Sequence, residues 1–251
     1  MSASVVNVVN VVCKTDVGLR RERNEDSFLY DEELGLYCVA DGLGGHRGGE
    51  VASSMAVKTM LEFVRGVRAQ NRKYGVREVL VRGYEEATSK IYDKSHIESP
   101  ELHGMGTTLV SAIVHGSSLF IGNVGDSRAY LFAQDQLWQL TEDHSLVNEQ
   151  LRAGLIKEED LPRLTNRNVI TRSVGFEREV QVDIVERPMQ KGDLYLLCSD
   201  GLCGLVEDDV IVAAIKKFGV DKPEDIVTEC IEQAKAAGGD DNVTVMVLTV
   251  S

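Results

Sequence analysis

What the chain lacks narrows its class first. Proline is scarce, with 4 in 251 residues. No Ser/Pro-rich or Gly/Ser-rich linker, internal repeat or low-complexity tract divides the sequence, so one domain over residues 1–251 is the expectation. No run of eighteen apolar residues occurs, which excludes a spanning helix. The apolar start, residues 1–14, has no basic leading segment and is interrupted by Asn7 and Asn10. It reads as a first strand rather than a secretion signal, and a soluble, cytoplasmic, monomeric protein is expected. The 5 cysteines form no Cys-x-x-Cys pair and no Cys-x5-Arg phosphate loop; Cys38 and Cys198, inside apolar runs, read as small buried hydrophobes. Positive charge is also short: 27 Lys and Arg face 40 Asp and Glu, a formal net charge of −13. Such a surface repels nucleic acid and anionic membranes, so neither is expected as a partner.

What is present suffices for a large core, at 43% hydrophobic residues. Strand-like runs cover 4–14, 26–31 and 36–40. Val51, Met55, Met60, Phe63, Val64 and Val67 then recur at helical spacing. A second helix fits 77–97, with Val79, Leu80, Tyr84, Ala87 and Ile91 on one face. From Thr107 the period changes to consecutive hairpins over 107–114, 119–124, 128–132 and 137–140, with Trp138 as core or sheet-edge packing. A polar excursion follows over 142–170. Strands resume at 180–186, 193–198 and 242–250, with helices at 208–218 and 223–236. Strands joined by hairpins and helices grouped in pairs predict an α+β fold, two packed antiparallel sheets flanked by helix pairs.

One pattern recurs at the strand ends. "LYCVADG" ends in Asp41, "LYLLCSDG" in Asp200 and "FIGNVGDS" in Asp126. Glu25 and Asp26 open "NEDSFLY", and Asp240 and Asp241 open "DDNVTVMVLTV". Any one Asp-Gly junction is an ordinary turn; their repetition is not explained by turns. If these ends converge, the carboxylates either hold protons or enclose cations. No histidine pair or cysteine cluster accompanies them, and oxygen-only ligation points to Mg²⁺ or Mn²⁺. A carboxylate-bridged pair of such ions about 4 Å apart activates water for attack on phosphorus. The remaining parts are a cation for phosphate oxygens, for which Arg21 is the candidate, and an acid for the leaving oxygen, for which His46 is the candidate.

Other chemistries fit less well. In "DGLGGHRGG" Arg47 occupies the third glycine position of a dinucleotide fingerprint, and no Gly-Lys-Ser/Thr follows. Ser127 lacks the flanking glycines of a nucleophile elbow; Asp126 and Arg128 are expected to brace a turn. His144 reads as structural, and Arg172 as a salt-bridge residue or a contact to phosphate or flap.

The ordered set "DVGLRRERNEDSF", "VADGLGGHRGGEVAS", "GTTLV", "IGNVGDSRAYL", "LTEDHS", "ITRSVG", "LLCSDGL" and "DDNVTV" resembles the metal-dependent protein phosphatases of the 2C type, in their compact bacterial form. The resemblance implies a four-layer α-β-β-α sandwich and hydrolysis of phosphoserine and phosphothreonine by a water or hydroxide bridging two Mn²⁺ or Mg²⁺ ions. By position it implies that Asp41 bridges the two ions, that Gly42 offers its carbonyl to one, and that Asp200 and Asp241 complete the other. Glu25 and Asp26 match residues that hold metal-bound waters, Asp126 with Asp200 a third ion, Arg21 the phosphate-binding arginine and His46 the general acid. Residues 145–170 match the family's flap. The implied partners are proteins phosphorylated on Ser or Thr by a cognate kinase. The alternative is a catalytically silent phosphoprotein-binding module on the same fold.

Overall fold

The computed structural model describes residues 9–44, 48–70, 73–157, 159–160 and 169–251. Two five-stranded antiparallel sheets dominate it. Their strands are β1 Val9–Asp16, β2 Ser27–Asp31, β3 Leu36–Ala40, β6 Leu109–His115, β7 Ser118–Val124, β8 Arg128–Ala133, β9 Gln136–Gln139, β10 Asp183–Pro188, β11 Leu194–Cys198 and β12 Val243–Val250. One sheet has the order β1-β12-β11-β8-β9 and the other β10-β7-β6-β3-β2. A ribbon of β4 Gly42–Leu43 and β5 Gly106–Thr107 stands apart. The helices are α1 Gly48–Ala69, α2 Val76–Asp93, α3 Leu146–Arg152, α4 Asp200–Cys203, α5 Asp208–Phe218 and α6 Pro223–Ala236.

Alternation along the strands builds three apolar layers. In β3, Leu36, Cys38 and Ala40 pack with α1 and α2, while Tyr37 and Val39 meet Leu197, Met246 and Leu248 of the other sheet. On that sheet's far side, Leu194, Leu196 and Cys198 pack with Ile211, Ile215, Ile226 and Cys230 of α5 and α6. The expected α-β-β-α sandwich is therefore observed.

Most elements lie where their periodicity puts them. The α2 face Val79, Leu80, Tyr84, Ala87 and Ile91 is buried throughout. α5 carries Asp208 and Asp209 in its first turn and Lys216 and Lys217 in its last; α6 starts at Pro223 and carries Lys235 in its last turn. Both arrangements match the helix dipole.

Three expectations need correction, and one pair of alternatives is decided. The buried stripe of α1 is Ala52, Ala56, Val57, Met60 and Val64, with Val51, Met55, Phe63 and Val67 only flanking it; small alanines let the helix approach its sheet. α2 ends at Asp93 and continues as a π-turn over Lys94–Glu98. The strand expected over 180–186 begins at Asp183, which pairs with Asn123 near the end of β7; Val180 and Val182 pack toward the α1–α2 layer instead. Of the two readings of Trp138, core or sheet edge, the sheet edge is observed: it lies on β9, an edge strand, and is 53% exposed. Residues 4–8 of the expected first strand lie outside the described residues.

The β8–β9 hairpin turns on Gln134 and Asp135, with φ of 52° and 64°. Two-residue hairpin loops need positive φ at both positions, where Asn-Gly is preferred. Non-glycine residues lose roughly 1 kcal/mol each there. Replacing the pair by Asn-Gly should raise the melting temperature by about 3 °C per 1 kcal/mol recovered, read by thermal unfolding; no gain would show that the turn carries no strain.

Candidate metal centre

β3, the turn after β7, β11 and the start of β12 deliver their carboxylates to one region. Asp41 leaves β3 without a turn: Gly42 and Leu43 stay extended and pair with Thr107 and Gly106. This differs from the tight Asp-Gly turn the sequence suggested, and the reason is the hydroxyl pair beside it. Asp41 N–H donates to Thr108 Oγ1 (2.9 Å), while its carbonyl accepts from Thr107 Oγ1 (2.8 Å) and Thr108 N–H (2.8 Å). Thr108 Oγ1 also shares a hydrogen bond with Ser127 Oγ (2.7 Å). A Cβ on Gly125 (φ 105°) would lie 2.6 Å from Thr108 Cβ. One buried threonine thus ties the Asp41 junction to the turn carrying Asp126.

The opposite wall is as closely fitted. Asp200 opens α4, the short helix after β11. A Cβ on Gly201 would lie 1.9 Å from the Asn242 carbonyl, so Asp200 and the Asp241–Asn242 corner are locked together. Asn242 donates to the Val17 and Arg23 carbonyls (2.9 Å each) and accepts from Glu25 N–H (2.7 Å). It thereby fixes the loop bearing Arg21, Glu25 and Asp26. Asp26 Oδ2 accepts from Ser199 Oγ (2.8 Å) and Thr244 Oγ1 (2.6 Å). A Cβ on Gly49 at the start of α1 would meet both the Gly42 carbonyl (2.7 Å) and Glu25 Oε2 (2.8 Å), so these two oxygens lie side by side over bare backbone.

The electrostatics are those of anions short of a counter-charge. Burial, then Asp26 and Asp200, push the Asp41 carboxyl well above its ordinary range. Asp41 stays partly open to the surface, and burial also raises the Asp200 carboxyl. Burial lifts Asp26 to about 7 despite its two hydroxyl donors. Burial and Asp200 lift Asp126 to about 7. Burial likewise raises Glu25. Arg21 donates to Asp241 Oδ2 at 2.6 Å. Arg128 belongs to another pair: it binds Asp143 (2.7 to 3.1 Å) rather than bracing Asp126.

Whether divalent ions suit this set can be judged from its oxygens. Among the described residues, Asp26 Oδ1, Asp126 Oδ1 and Asp200 Oδ1 are buried without a hydrogen-bond partner, an expensive condition for carboxylates. Among the described residues no three His, Cys, Asp or Glu side chains already surround one point as a cage. Small hard cations keep several waters and need only one or two carboxylates apiece, so a spread, all-oxygen set with orphaned atoms fits them.

Of the residues singled out from sequence, Asp41, Asp200, Asp126, Asp26, Glu25, Asp241 and Arg21 lie in this region, with Gly42 beside them. His46 lies outside the described residues. Thr107, Thr108, Ser199, Thr244 and Asn242 carry the positioning; they lie within the quoted stretches "GTTLV", "LLCSDGL" and "DDNVTV" but were given no role. His144 is structural. Its Nδ1 accepts from Gly125 N–H (3.0 Å), and Nε2 lies 3.2 Å from Asp183 Oδ2 and 3.0 Å from Arg172 Nη1. Arg172 forms an ion pair with Asp183 (2.9 Å).

Comparison with known proteins gives a consistent picture. The family model described as Protein phosphatase 2C matches residues 20–219. A serine/threonine phosphatase stp of Listeria innocua is 39% identical over 241 residues, 94% of this chain and 93% of that one. Serine/threonine phosphatase Stp1 from Staphylococcus aureus superposes with a TM-score of 0.86 at 30% identity, covering 100% of this chain and 98% of that one. The catalytic domain of the phosphatase PstP, solved with two manganese ions, gives 0.81 at 33% identity, over 96% and 98% of the two chains. Among the described residues no helix is long and apolar enough to cross a membrane.

Two predictions arise here. Asp126→Asn or Asp41→Asn relieves repulsion, so each should raise the melting temperature of metal-free protein by a few degrees. The wild type should gain about 2.7 kcal/mol at Mn²⁺ one hundred times Kd; Asp41→Asn should lose most of that gain, and Asp126→Asn only the smaller part that a third ion adds. Thermal shift with and without Mn²⁺ reads both effects; an equal Mn²⁺ gain in all three proteins would remove these carboxylates from the site. Burial lowers the His144 imidazole below its ordinary range, against Asp183. Below about pH 6.5 the unfolded chain therefore takes up a proton that the fold refuses. The stability advantage of wild type over His144→Gln should shrink between pH 7.5 and 5.5 in urea unfolding; a constant difference would contradict the assignment.

Proposed function

The chain belongs to the protein phosphatase 2C family, and we propose that its strand-end carboxylates hold the divalent ions of a serine/threonine phosphatase. The observation that carries this reading is the gathering of Asp41, Asp126, Asp200 and Asp26, with orphaned buried oxygens and raised carboxyls. When bound, Mn²⁺ or Mg²⁺ supplies Lewis acidity and activates water as a nucleophile at neutral pH.

The remaining work belongs to the chain. Asp41, held at both backbone atoms by Thr107 and Thr108, would hold the ions, with the Gly42 carbonyl beside it. Asp200 and Asp241 complete the set, and Glu25 and Asp26 orient water. Asp126 with Asp200 is the place for a third ion. Arg21 binds phosphate oxygens: its guanidinium has five N–H donors, and Asp241 and the Asp240 carbonyl (3.4 Å) take only two of them. His46 delivers a proton to the leaving Ser or Thr oxygen. The segment over 145–170 is the flap, entered through α3, whose Val147, Asn148 and Leu151 share a pocket with Asp126 and Asp200. The substrates are phosphoserine and phosphothreonine proteins, the products of a Ser/Thr kinase. All five cysteines are free thiols, which suits a reducing compartment such as the cytoplasm.

Phosphate release from a phosphothreonine peptide should require Mn²⁺ or Mg²⁺ and vanish in Asp200→Asn. Binding of the peptide without turnover at saturating metal would favour the silent module. His46→Ala should lose about 10²-fold on the peptide and little on p-nitrophenyl phosphate, whose leaving group needs no acid; equal losses would remove His46 from that role.

A further inference from the structure

Beside the Asp41 junction lies a groove of about 460 Å³ whose lining includes Leu43, Arg172, Phe176, Glu177, Glu179 and Val180. Its far wall is pinned to the centre by backbone. Val174 and Thr107 exchange hydrogen bonds (3.0 and 2.8 Å), and Thr107 pairs with Gly42. Gly175 (φ 87°) is clamped against α2, where a Cβ would lie 2.2 Å from the Ile91 side chain. A Cβ on Gly106 would sit 3.3 Å from Phe176 Cβ.

Phe176 is nonetheless 56% exposed. A lone exposed aromatic needs no explanation. This one is rigidly based, faces a concave surface shared with Leu43 and Val180, and stands one residue from an acidic pair. Glu177 and Glu179 are exposed and form no ion pair among the described residues. The neighbouring cations are engaged elsewhere: Arg172 with Asp183 at 2.9 Å, and Arg178 over the Tyr92 ring at 6.0 Å.

We propose that this groove receives the stretch of substrate next to the phosphorylated residue, and that it selects an apolar side chain for Phe176 and a lysine or arginine for Glu177 and Glu179. The proposal rests on the phosphatase reading above and adds a substrate class to it. Charge complementarity chooses the occupant. A phosphopeptide brings about two negative charges to a protein of net charge −13. Basic residues beside the phosphate offset that repulsion and steer the encounter. An acidic flank meets Glu177 and Glu179 with like charge.

The test compares two phosphothreonine peptides that differ only in Lys/Arg or Glu at the flanking positions, with p-nitrophenyl phosphate as a substrate too small for the groove. Wild type should favour the basic peptide five- to tenfold in kcat/KM, about what two partly exposed charge pairs supply, and the preference should shrink in high salt. Glu177→Lys with Glu179→Lys should reverse it. Phe176→Ala should raise KM on both peptides with kcat and aryl phosphate turnover unchanged. Equal preference in wild type and the double variant, or a parallel fall on aryl phosphate, would overturn the proposal. Absence of metal-dependent aryl phosphate turnover in wild type would instead sink the phosphatase reading on which it depends.

Discussion

Carboxylates repel one another, and the structure is arranged around holding several of them together. Burial raises the proton affinity of Asp41, Asp26, Asp126 and Asp200, and neighbouring carboxylates add to it, Asp26 and Asp200 at Asp41, Asp200 at Asp26 and Asp126, and Asp241 at Asp200, while Arg21 donates to Asp241. Left to themselves such groups splay apart or take up protons. Each is instead fixed at its backbone by neighbours with no freedom to yield. Thr107 and Thr108 hold Asp41, Gly201 packs on Asn242, and Gly125 packs on Thr108. The close glycine contacts in this region are tolerances of that scaffold, since a Cβ would separate the walls.

The sandwich makes the scaffold affordable in stability terms. Three apolar layers anchor the strands of both large sheets, so the strand ends inherit rigidity from residues far from the site. β3 shows the coupling within five residues: all are buried, two faces serve two layers, and the next residue is Asp41. Asp26 is a contrasting case, held by hydroxyls from β12 and the end of β11 that leave one oxygen without a partner. That oxygen is costly in a merely structural aspartate and useful in one that orients water.

Apolar periodicity made the sheets, the helix pairs and the strand-end carboxylates legible, because alternation and helical spacing are local properties. The recurring strand–Asp junctions pointed to oxygen ligation before any distance was available. The positioning residues were not legible. Thr108 and Thr244 read as ordinary strand residues, and only tertiary pairing shows that their hydroxyls reach Asp41 and Asp26. The β4–β5 ribbon escaped for the same reason: Gly42 and Leu43 look like a turn until Thr107 and Gly106 lie beside them. The α1 stripe was misjudged because large side chains were weighted over the alanines that let helix and sheet approach. The pairing of Arg21 with Asp241 was not legible either, because it depends on a loop fixed by Asn242 from the far end of the chain.

If protons stand in for cations among these carboxylates, ion binding must expel them. Titration calorimetry with Mn²⁺ at pH 7, in buffers of different ionisation enthalpy, counts the protons released. The account predicts release of about one proton or more per protein, with the count falling as the pH is raised and Asp26 and Asp126, lifted to about 7, empty beforehand. Binding with no proton release at pH 7 would contradict it, because the carboxylates would then have been fully ionised and uncrowded before the ions arrived.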